Sequence, residues 1–436
     1  MIDNILEKMN SFEAIKNILF GITLHDVQCI DVMKMLYSKK AIVSYDTGTG
    51  KTLLAAAVMR LLWNENPSRR FIVFVKKDQL VQTPLKLEAA THKKVIATSG
   101  EASSVENTFW SNDFLDAPIL MLTHSCLRNK TVMRKLFSVK DKYCGVIIDE
   151  AHEISNTFFA QSADMIKGML SQFEFGWALT ATPITTDVSQ MCKLANLMNP
   201  ERYPDPKRLA NRVKRGQFSI TDDPMFFINR NGAELGRNSH YYGFIQWVNA
   251  MPHQHQCLGG NALMELCKGD GAQAQAESLV NLVKQYSGKK GLIYVNQHSV
   301  REWIIPFLEN AGIKYGCING KTSSTEDAEI MYQFNECNSL DVVITSCTTA
   351  IDLDCDFVIF YEFTVMLKQM IGRADRGLSG STVDVWYIIT RGSYEPEYFK
   401  KTIVDRSTMI RDLLNKDYSE LESIVDEVEV NLSAGD

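Results

Sequence analysis

The chain has 436 residues, of which 45% are hydrophobic and 22% are charged, and its formal net charge is −6. Because one hydrophobic core rarely serves so long a chain, about two to three domains are expected. The composition is that of a folded protein and excludes collagen-like and disordered chains. The negative charge argues against a protein that coats nucleic acid non-specifically, which needs many Lys and Arg side chains, but a local cationic groove is still allowed.

The N-terminal segment, residues 1–22, has acidic residues and regular breaks between its apolar residues. It therefore lacks the basic and apolar regions of a signal peptide. No later apolar run reaches the ~20 residues that a membrane-spanning helix needs. The ten cysteines are scattered without a CxxC pair, which is typical of a reducing compartment. We expect an intracellular protein with no membrane partner.

In the first half of the chain, short apolar runs rich in β-branched and aromatic residues alternate with helical spacers. This alternation predicts a parallel sheet with helices on both faces. The predicted strands are Ala41–Tyr45, Phe71–Val75, Pro118–Leu122, Cys144–Ile148 and Gly176–Leu179.

The same alternation restarts further along and predicts a second α/β sheet. Between the two sheets, Pro, Gly and polar residues break the pattern, and we expect an inserted subdomain with a linker over 192–275. The two sheet domains are then 1–191 and 276–415, and 416–436 is an acidic tail that forms a solvated closing helix. The predicted strands of the second sheet are Gly291–Val295, Lys314–Ile318, Asp341–Thr345, Phe357–Tyr361 and Val383–Ile389.

A Gly-rich segment, DTGTGKT over 46–52, lies between the first predicted strand and the helical run LLAAAVMRLLW. In that position, Gly residues let backbone N–H groups approach phosphate and the helix N-terminus adds a favourable dipole. Lys51 neutralises phosphate charge, and the hydroxyl of Thr52 can bind Mg²⁺. The predicted ATP-binding residues of this loop are Thr47, Gly48, Thr49, Gly50, Lys51 and Thr52.

Two adjacent carboxylates end the buried strand VIIDEAH, where Asp149 and Glu150 are followed by His152. A charged pair directly after an apolar strand needs a partner, and Mg²⁺ provides one. We expect Asp149 to hold the metal and Glu150 to polarise the attacking water. Taken alone, the tetrapeptide DEAH over 149–152 is a polar strand end or an acidic turn. Its spacing from the phosphate loop favours the catalytic interpretation.

With these two elements, the sequence resembles superfamily 2 helicases and translocases over residues 22 to 390. LHDVQ, ending at Gln28, is similar to the element whose Gln reads adenine. LTATP, which contains Thr180 and Thr182, resembles the motif that couples the ATP state to domain movement. The resemblance implies an α/β fold of two tandem RecA-like domains with a small inserted subdomain, and ATP with Mg²⁺ as cofactors.

QMIGRADR resembles the second-domain element that completes the ATP site, with Gln369, Arg373 and Arg376 at the family spacing. Two arginines three residues apart on one helix face can reach charge that develops on the γ-phosphate when the domains close. The resemblance also assigns Asp352 to ATP binding, although Ala350 stands where the family usually has Gly.

The nucleic-acid contacts implied by the resemblance lie at strand ends and address sugar and phosphate. LTATP together with QxxGR is similar to SNF2-like translocases and phage branch-migration helicases, so we expect DNA, in forked, branched or duplex form, as the partner. The alternatives are an RNA helicase with a similar core and an ATP-gated clamp or scaffold; a monomer suits each of them. The contact residues would be Lys76, Thr123, Ser125, Asn296 and Thr349.

A second candidate metal site consists of His253, His255 and Cys257, which lie on one face of a predicted strand because they alternate in sequence. No fourth ligand has a recognisable spacing. A half-exposed strand is therefore the favoured interpretation, and no metal other than Mg²⁺ is predicted.

Overall fold

The chain divides into two compact units, Met1–Leu235 and Gly236–Asp436. Within the described part, no helix is long and apolar enough to cross a membrane. The computed structural model describes residues 12–98, 116–157, 163–184, 187–236, 240–249, 272–319, 322–346, 351, 353–363, 370–372, 374, 382–404, 407, 414 and 424.

In the described part of the first unit, seven parallel strands form one sheet in the order β3-β4-β2-β5-β6-β1-β7. The central strands are buried at every position. Strands buried on both faces require helices on both sides of the sheet, as the apolar runs of the sequence predict. The strands are β1 Lys40–Tyr45, β2 Phe71–Val75, β3 Val95–Thr98, β4 Ile119–Thr123, β5 Gly145–Ile148, β6 Phe175–Thr180 and β7 Phe227–Arg230.

The helices of the first unit follow local sequence signals. Asn129 accepts hydrogen bonds from two backbone N–H groups and so starts one helix, and Asp205 does the same for another that has Pro206 at its first position. The helices are α1 Phe12–Lys16, α2 Asp26–Ser38, α3 Lys51–Glu65, α4 Gln82–Thr91, α5 Lys130–Ser138, α6 His152–Thr157, α7 Ala163–Leu170, α8 Ser189–Met198 and α9 Pro206–Lys214.

The described residues of the second unit form a six-stranded parallel sheet in the order β10-β11-β9-β12-β13-β8. Its strands are β8 His240–Asn249, β9 Gly291–Tyr294, β10 Tyr315–Ile318, β11 Val342–Thr345, β12 Phe357–Phe360 and β13 Thr382–Arg391. Its helices are α10 Gln273–Gln285, α11 His298–Asn310, α12 Ser324–Asn335 and α13 Glu395–Phe399, followed by a π-helical turn at Lys400–Val404.

The fold predicted from the sequence, two tandem RecA-like α/β domains, is confirmed. Each of the ten predicted strands is present, with ends that differ by a residue or two. Strand β3 was not predicted. Its four residues, VIAT, are too short a run to stand out from the polar residues on either side.

The described residues of 192–275 are divided between the two units. Helix α9 and strand β7 belong to the first unit, where β7 pairs with β1. Strand β8 belongs to the second unit and pairs over its whole length with β13. Residues 250–271 lie outside the described residues, so the inserted subdomain over 192–275 stays a prediction. The acidic tail 416–436 lies outside the described residues, apart from Ile424.

Candidate active site

The phosphate loop joins β1 to α3 through two glycines in left-handed backbone conformation. Gly48 has φ 71° and Gly50 has φ 93°, a region that residues with a Cβ rarely adopt. A Cβ on Gly50 would also lie 2.6 Å from Nε2 of Gln28. Both conformation and space therefore require glycine at position 50, which allows backbone N–H groups to face a ligand.

Gln28, predicted to read adenine, lies against this loop. It is 7% exposed, its Nε2 donates to the Thr49 carbonyl at 3.0 Å, and its Oε1 accepts from the His25 N–H at 2.9 Å. The side chain therefore links the start of α2 to the phosphate loop. The amide is held in place at the loop by neighbours on both sides.

Lys51, the first residue of α3, directs its ammonium back along the loop. Its Nζ donates to the carbonyls of Tyr45 and Asp46 at 3.1 and 3.3 Å. The Asp46 carbonyl also accepts from the hydroxyl of Thr49 at 2.5 Å. These bonds position the cation over the loop.

The two predicted catalytic carboxylates lie at the carboxyl end of β5, which pairs with β2 and β6 in the middle of the sheet. The Asp149 N–H still follows the sheet and donates to the Phe74 carbonyl at 2.9 Å. The next residue, Glu150, has φ 45° and donates its N–H to Oδ1 of Asp149 at 3.0 Å. The chain thus turns sharply between the two carboxylates, a conformation of the kind often found at functional sites.

The pKa values of this pair move in opposite directions. Burial, with a further contribution from the charge of Glu150, raises the pKa of Asp149 to about 6. Burial also opposes the ionisation of Glu150, but hydrogen bonding to His152 and the charges of Lys51 and Lys76 outweigh it and lower the pKa of Glu150 below its ordinary value. Because Lys51 acts on both carboxylates, the loop and the strand end form one electrostatic cluster.

His152 links this cluster to the predicted coupling motif. Its Nδ1 lies 3.4 Å from Oε2 of Glu150 and 3.0 Å from the hydroxyl of Thr180, and the ring is 1% exposed. The Thr180 hydroxyl in turn accepts from the Thr182 N–H at 3.1 Å. Thr182 is therefore connected to the Glu150 carboxylate through the Thr180 hydroxyl and the His152 ring.

Three predicted nucleic-acid contacts lie at the carboxyl ends of β2 and β4. The Thr123 side chain is buried, with its hydroxyl 2.6 Å from that of the exposed Ser125. Lys76 directly follows β2, and its Nζ lies 2.5 Å from Oε1 of Glu153 on α6. His124, between Thr123 and Ser125, donates through Nε2 to the Asp149 carbonyl at 2.7 Å. Ser125 is thus more accessible than Thr123, and Lys76 is already paired.

Sequence analysis missed His124, Glu153 and a second network behind the loop. In that network, the Asp31 carboxylate is fully buried. It accepts hydrogen bonds from the Arg230 guanidinium at 2.8 and 2.9 Å and from the Tyr45 hydroxyl at 2.6 Å. Oδ2 of Asp46 accepts from the Gly232 N–H at 2.8 Å. These contacts join α2, β1 and the end of β7, which are far apart in sequence. The one signal of them in the sequence is an Asp at an inward-facing position of an amphipathic helix, because a buried carboxylate needs a partner.

The residues present fit a Mg²⁺ ion bound together with a nucleotide. Such sites supply few protein ligands because the phosphates and water provide the others. Burial and the charge of Glu150 raise the pKa of Asp149, so a cation beside this carboxyl group would favour its charged form, and Thr52 lies one residue after Lys51 on α3. In the described part of the chain, no cluster of three or more His, Cys, Asp or Glu could hold a metal alone. His253, His255 and Cys257 lie outside that part.

In the second unit, the described residues include one predicted contact, Asn296. It is exposed and follows β9, next to Gln297, whose N–H donates to Glu362 at 2.9 Å. Burial raises the pKa of Glu362. The other predicted residues of this unit, Thr349, Asp352, Gln369, Arg373 and Arg376, lie outside the described residues.

Two family models match the chain in the order of its units. Residues 2–185 match the model for the type III restriction enzyme res subunit, and residues 274–377 match the helicase conserved C-terminal domain. The chain belongs to the superfamily 2 helicases and translocases. The first match of this superfamily 2 protein contains the phosphate loop and runs to just past Thr182, and the second contains Asn296 and Arg376. The enzyme is thus an ATP-hydrolysing protein of the helicase type.

One solved structure similar to this superfamily 2 protein is the Sulfolobus solfataricus SWI2/SNF2 ATPase core in complex with dsDNA. The similarity covers 95% of this chain and 96% of that chain, with 16% sequence identity and a TM-score of 0.43. No curated protein sequence matches the chain.

Proposed function

We propose that this superfamily 2 enzyme is a DNA-dependent ATPase that couples hydrolysis to movement along, or remodelling of, forked, branched or duplex DNA. The observation that carries the proposal is the cluster in which the ammonium of Lys51 acts on both Asp149 and Glu150 at the end of β5. A cation beside one buried and one partly buried carboxylate and a Gly-rich loop is the constellation that phosphoryl transfer requires.

The residues have separable roles in the proposed reaction. The loop N–H groups and Lys51 bind and orient the ATP phosphates. Gln28, whose amide lies against the loop at Thr49, reads adenine. Thr52 and Asp149 would hold Mg²⁺, which when bound neutralises charge on the phosphates. Glu150, kept ionised by its neighbours, accepts a hydrogen bond from the attacking water and orients it toward phosphorus.

The second unit is proposed to supply the remaining positive charge. Arg373 and Arg376 stand at the spacing of the family's arginine element, and a guanidinium can stabilise the charge that builds on the transferred phosphoryl group. Thr180 and Thr182, linked to Glu150 through His152, would transmit the state of the nucleotide to the rest of the protein.

Two features favour DNA over RNA as the partner. The motifs LTATP and QxxGR together resemble DNA-directed branches of the superfamily. In addition, the family model matched by residues 2–185 is named for a restriction enzyme, a class of enzymes that acts on DNA. The exposed Ser125 and Asn296, each after a sheet strand, are of the type that contacts sugar and phosphate.

The test is to measure ATP hydrolysis by the wild-type chain with single-stranded, duplex and forked DNA and with RNA of matched length. We expect stimulation by DNA, largest for the structure on which the enzyme acts, and little by RNA. Stimulation by RNA alone would make the protein an RNA helicase. Hydrolysis that no nucleic acid stimulates, from a well-folded chain, would refute a nucleic-acid-dependent motor.

A further inference from the structure

The ion pair between Lys76 and Glu153 lies where nucleic acid is proposed to bind. Lys76 directly follows β2, and its Nζ lies 2.5 Å from Oε1 of Glu153, in the first turn of α6. The Lys76 side chain is 12% exposed and that of Glu153 is 37% exposed, so the pair is partly withdrawn from water. It is correspondingly less screened by salt than a surface pair.

Glu153 is held in its charged form at this position. Burial opposes its ionisation, but the neighbouring imidazole of His124 and the ammonium of Lys76 lower the pKa of Glu153 to about 2. The ring of His124 is farther away, with Nδ1 3.7 Å from Oε2 of Glu153. Lys76 is therefore the cation that the Glu153 carboxylate engages most closely, and the pair persists at neutral pH.

The Glu153 carboxylate on Lys76 has the same single negative charge as a nucleic-acid phosphate. Both are oxygen anions, and each uses a lysine as a point charge. A strand that contacts Lys76 must therefore remove Glu153 first. This competition weakens binding of nucleic acid by the resting protein.

We propose that Glu153 is an intramolecular competitor of the nucleic-acid backbone, which occupies Lys76 until a phosphate displaces it. The inference rests on the proposed function, because it assumes that nucleic acid passes the carboxyl end of β2. In this competition, Glu153 sets the affinity of the protein for nucleic acid. Its position three residues after Glu150 places the exchange at the first turn of the helix that follows the catalytic carboxylates.

The exchange has a distinct salt dependence. When a free lysine contacts phosphate, a counterion is released, and the logarithm of affinity falls with the logarithm of salt concentration by about 0.7 per contact for single strands. In the wild-type protein, the displaced Glu153 carboxylate stays beside the strand and offsets the charge of Lys76, so the pair brings no net charge to the phosphates and adds little to the slope. Without the carboxylate, the same contact adds its full share.

The experiment is a nucleotide-free anisotropy titration of labelled single-stranded DNA between about 50 and 200 mM salt. We expect Glu153→Gln to bind about two- to fivefold more tightly at low salt, with a slope steeper by about 0.7. Glu153→Asp, which keeps the charge on a shorter side chain, should lie between the variant and the wild type. In a Lys76→Met background, Glu153→Gln should have no further effect.

Asp116 offers a matched control at the opposite edge of the same sheet. It pairs with Arg70, which directly precedes β2, at 2.9 Å, and with Lys142 at 3.2 Å. Asp116→Asn makes the same change of charge as Glu153→Gln, and we expect unchanged affinity and slope. A gain equal to that of Glu153→Gln would reduce the effect to net charge and overturn the inference.

The outcomes separate the two proposals. If wild-type protein binds DNA and Glu153→Gln binds equally or more weakly, the competition is refuted while the motor function stands. If the tighter binding survives in the Lys76→Met background, Glu153 acts through another group and the inference also fails. If the folded wild-type protein binds no nucleic acid, the proposed function fails and the inference falls with it.

Discussion

Buried carboxyl groups occur in both units but meet different partners. In the first unit, Asp31 is fully buried against the guanidinium of Arg230, and Glu150 lies near Lys51 and His152. In the second unit, Glu395 is 1% exposed and accepts hydrogen bonds from neutral donors, the Thr390 N–H at 2.7 Å and the Gln275 amide at 3.3 Å. The pKa of Glu150 is lowered, whereas burial raises that of Glu395 to about 7.

The difference shows that a neighbouring cation, more than burial, decides whether a carboxyl group stays charged. A carboxylate kept charged can bind a cation or orient water, whereas Glu395, which exchanges its proton near pH 7, is held by hydrogen bonds from Thr390 and Gln275. Asp149 stands between these cases, because burial and Glu150 raise its pKa to about 6 although Lys51 acts against them. One further positive charge would complete its surroundings, as a nucleotide-bound Mg²⁺ would.

The largest effect is expected from Lys51→Ala, which removes the cation that serves both carboxylates. ATP turnover should fall by on the order of 10²–10³ or more, while the fold is kept because Nζ contacts only loop carbonyls among the described residues. Steady-state hydrolysis and thermal unfolding measure the two properties. Lys142→Ala, an exposed lysine paired with Asp116, is the control. Near-normal hydrolysis by folded Lys51→Ala would remove the basis of the proposed site.

Arg376→Ala tests whether the second unit also contributes a cation to the reaction. ATP affinity should be nearly unchanged while turnover falls, since arginines that act on the transition state contribute about 10³–10⁵ in related systems. Stimulation by DNA should be lost together with turnover. ATP titration with and without forked DNA measures both. A variant that hydrolyses ATP normally and still responds to DNA would confine the chemistry to the first unit.

Glu150→Gln should separate binding from hydrolysis. We expect turnover to fall by about 10²–10⁴ because the water loses its base, while ATP and Mg²⁺ still bind through Asp149 and the loop. Nucleotide affinity measured beside Asp149→Ala checks this assignment. Glu174→Gln, which loses only a surface pair with Lys39, should behave as wild type. Equal losses of nucleotide affinity in Glu150→Gln and Asp149→Ala would contradict the separate roles.

Arg230→Ala should destabilise the first unit without touching the chemistry directly. It leaves Asp31 buried with weaker partners, which typically costs about 3–5 kcal/mol. Denaturant unfolding measures the loss. Lys214→Ala, which breaks an exposed pair with Asp187, should cost at most about 1 kcal/mol. Similar losses in the two variants would mean that burial of Asp31 does not govern the strength of the pair.

The smallest effect concerns pH and Glu395. Between the ordinary pKa of Glu and about 7, the folded state binds the proton more strongly than the unfolded state, so stability is greatest at low pH and falls as pH rises to about 7. The loss is up to about 3 kcal/mol. Glu395→Gln should flatten this decline in denaturation measured at several pH values, and the exposed Glu397→Gln should not. An equally steep decline in Glu395→Gln would assign the pH dependence to other groups.

Much of the fold and of the candidate site could be predicted from the sequence. Central parallel strands are continuous apolar runs, and the loops between them contain Gly and Pro. The phosphate loop and the Asp149–Glu150 pair stood out for the same reason, as polar segments fixed to strand ends. Strand β8 did not, although HYYGFIQWVN is rich in aromatic residues. Its polar neighbours on both sides outweighed the β signal of its own residues.

The contacts of Asp31, Glu153 and His124 could not be predicted, for a different physical reason. Each depends on which side chains the fold brings together, and Asp31 and Arg230 are about 200 residues apart in sequence. A helix pattern reveals that Asp31 faces inward, but not the cation it will meet. Pair interactions of this kind follow from the register of the sheet and the packing of α2 on it.

The pairing of β8 also governs the order in which the second unit can be completed. Among the described strands of that unit, β8 is the first in sequence, yet it lies at the edge of the sheet and pairs with β13, the last, through His240 with Thr382 onward. During synthesis, β8 therefore emerges roughly 140 residues before its partner, a delay of roughly 7–30 s at about 5–20 residues per second. Throughout that interval, the backbone donors and aromatic side chains of β8 lack their partner strand β13. The growing chain therefore carries an unpaired strand, which is a site for aggregation. Pairing with β13 is non-local and therefore slow.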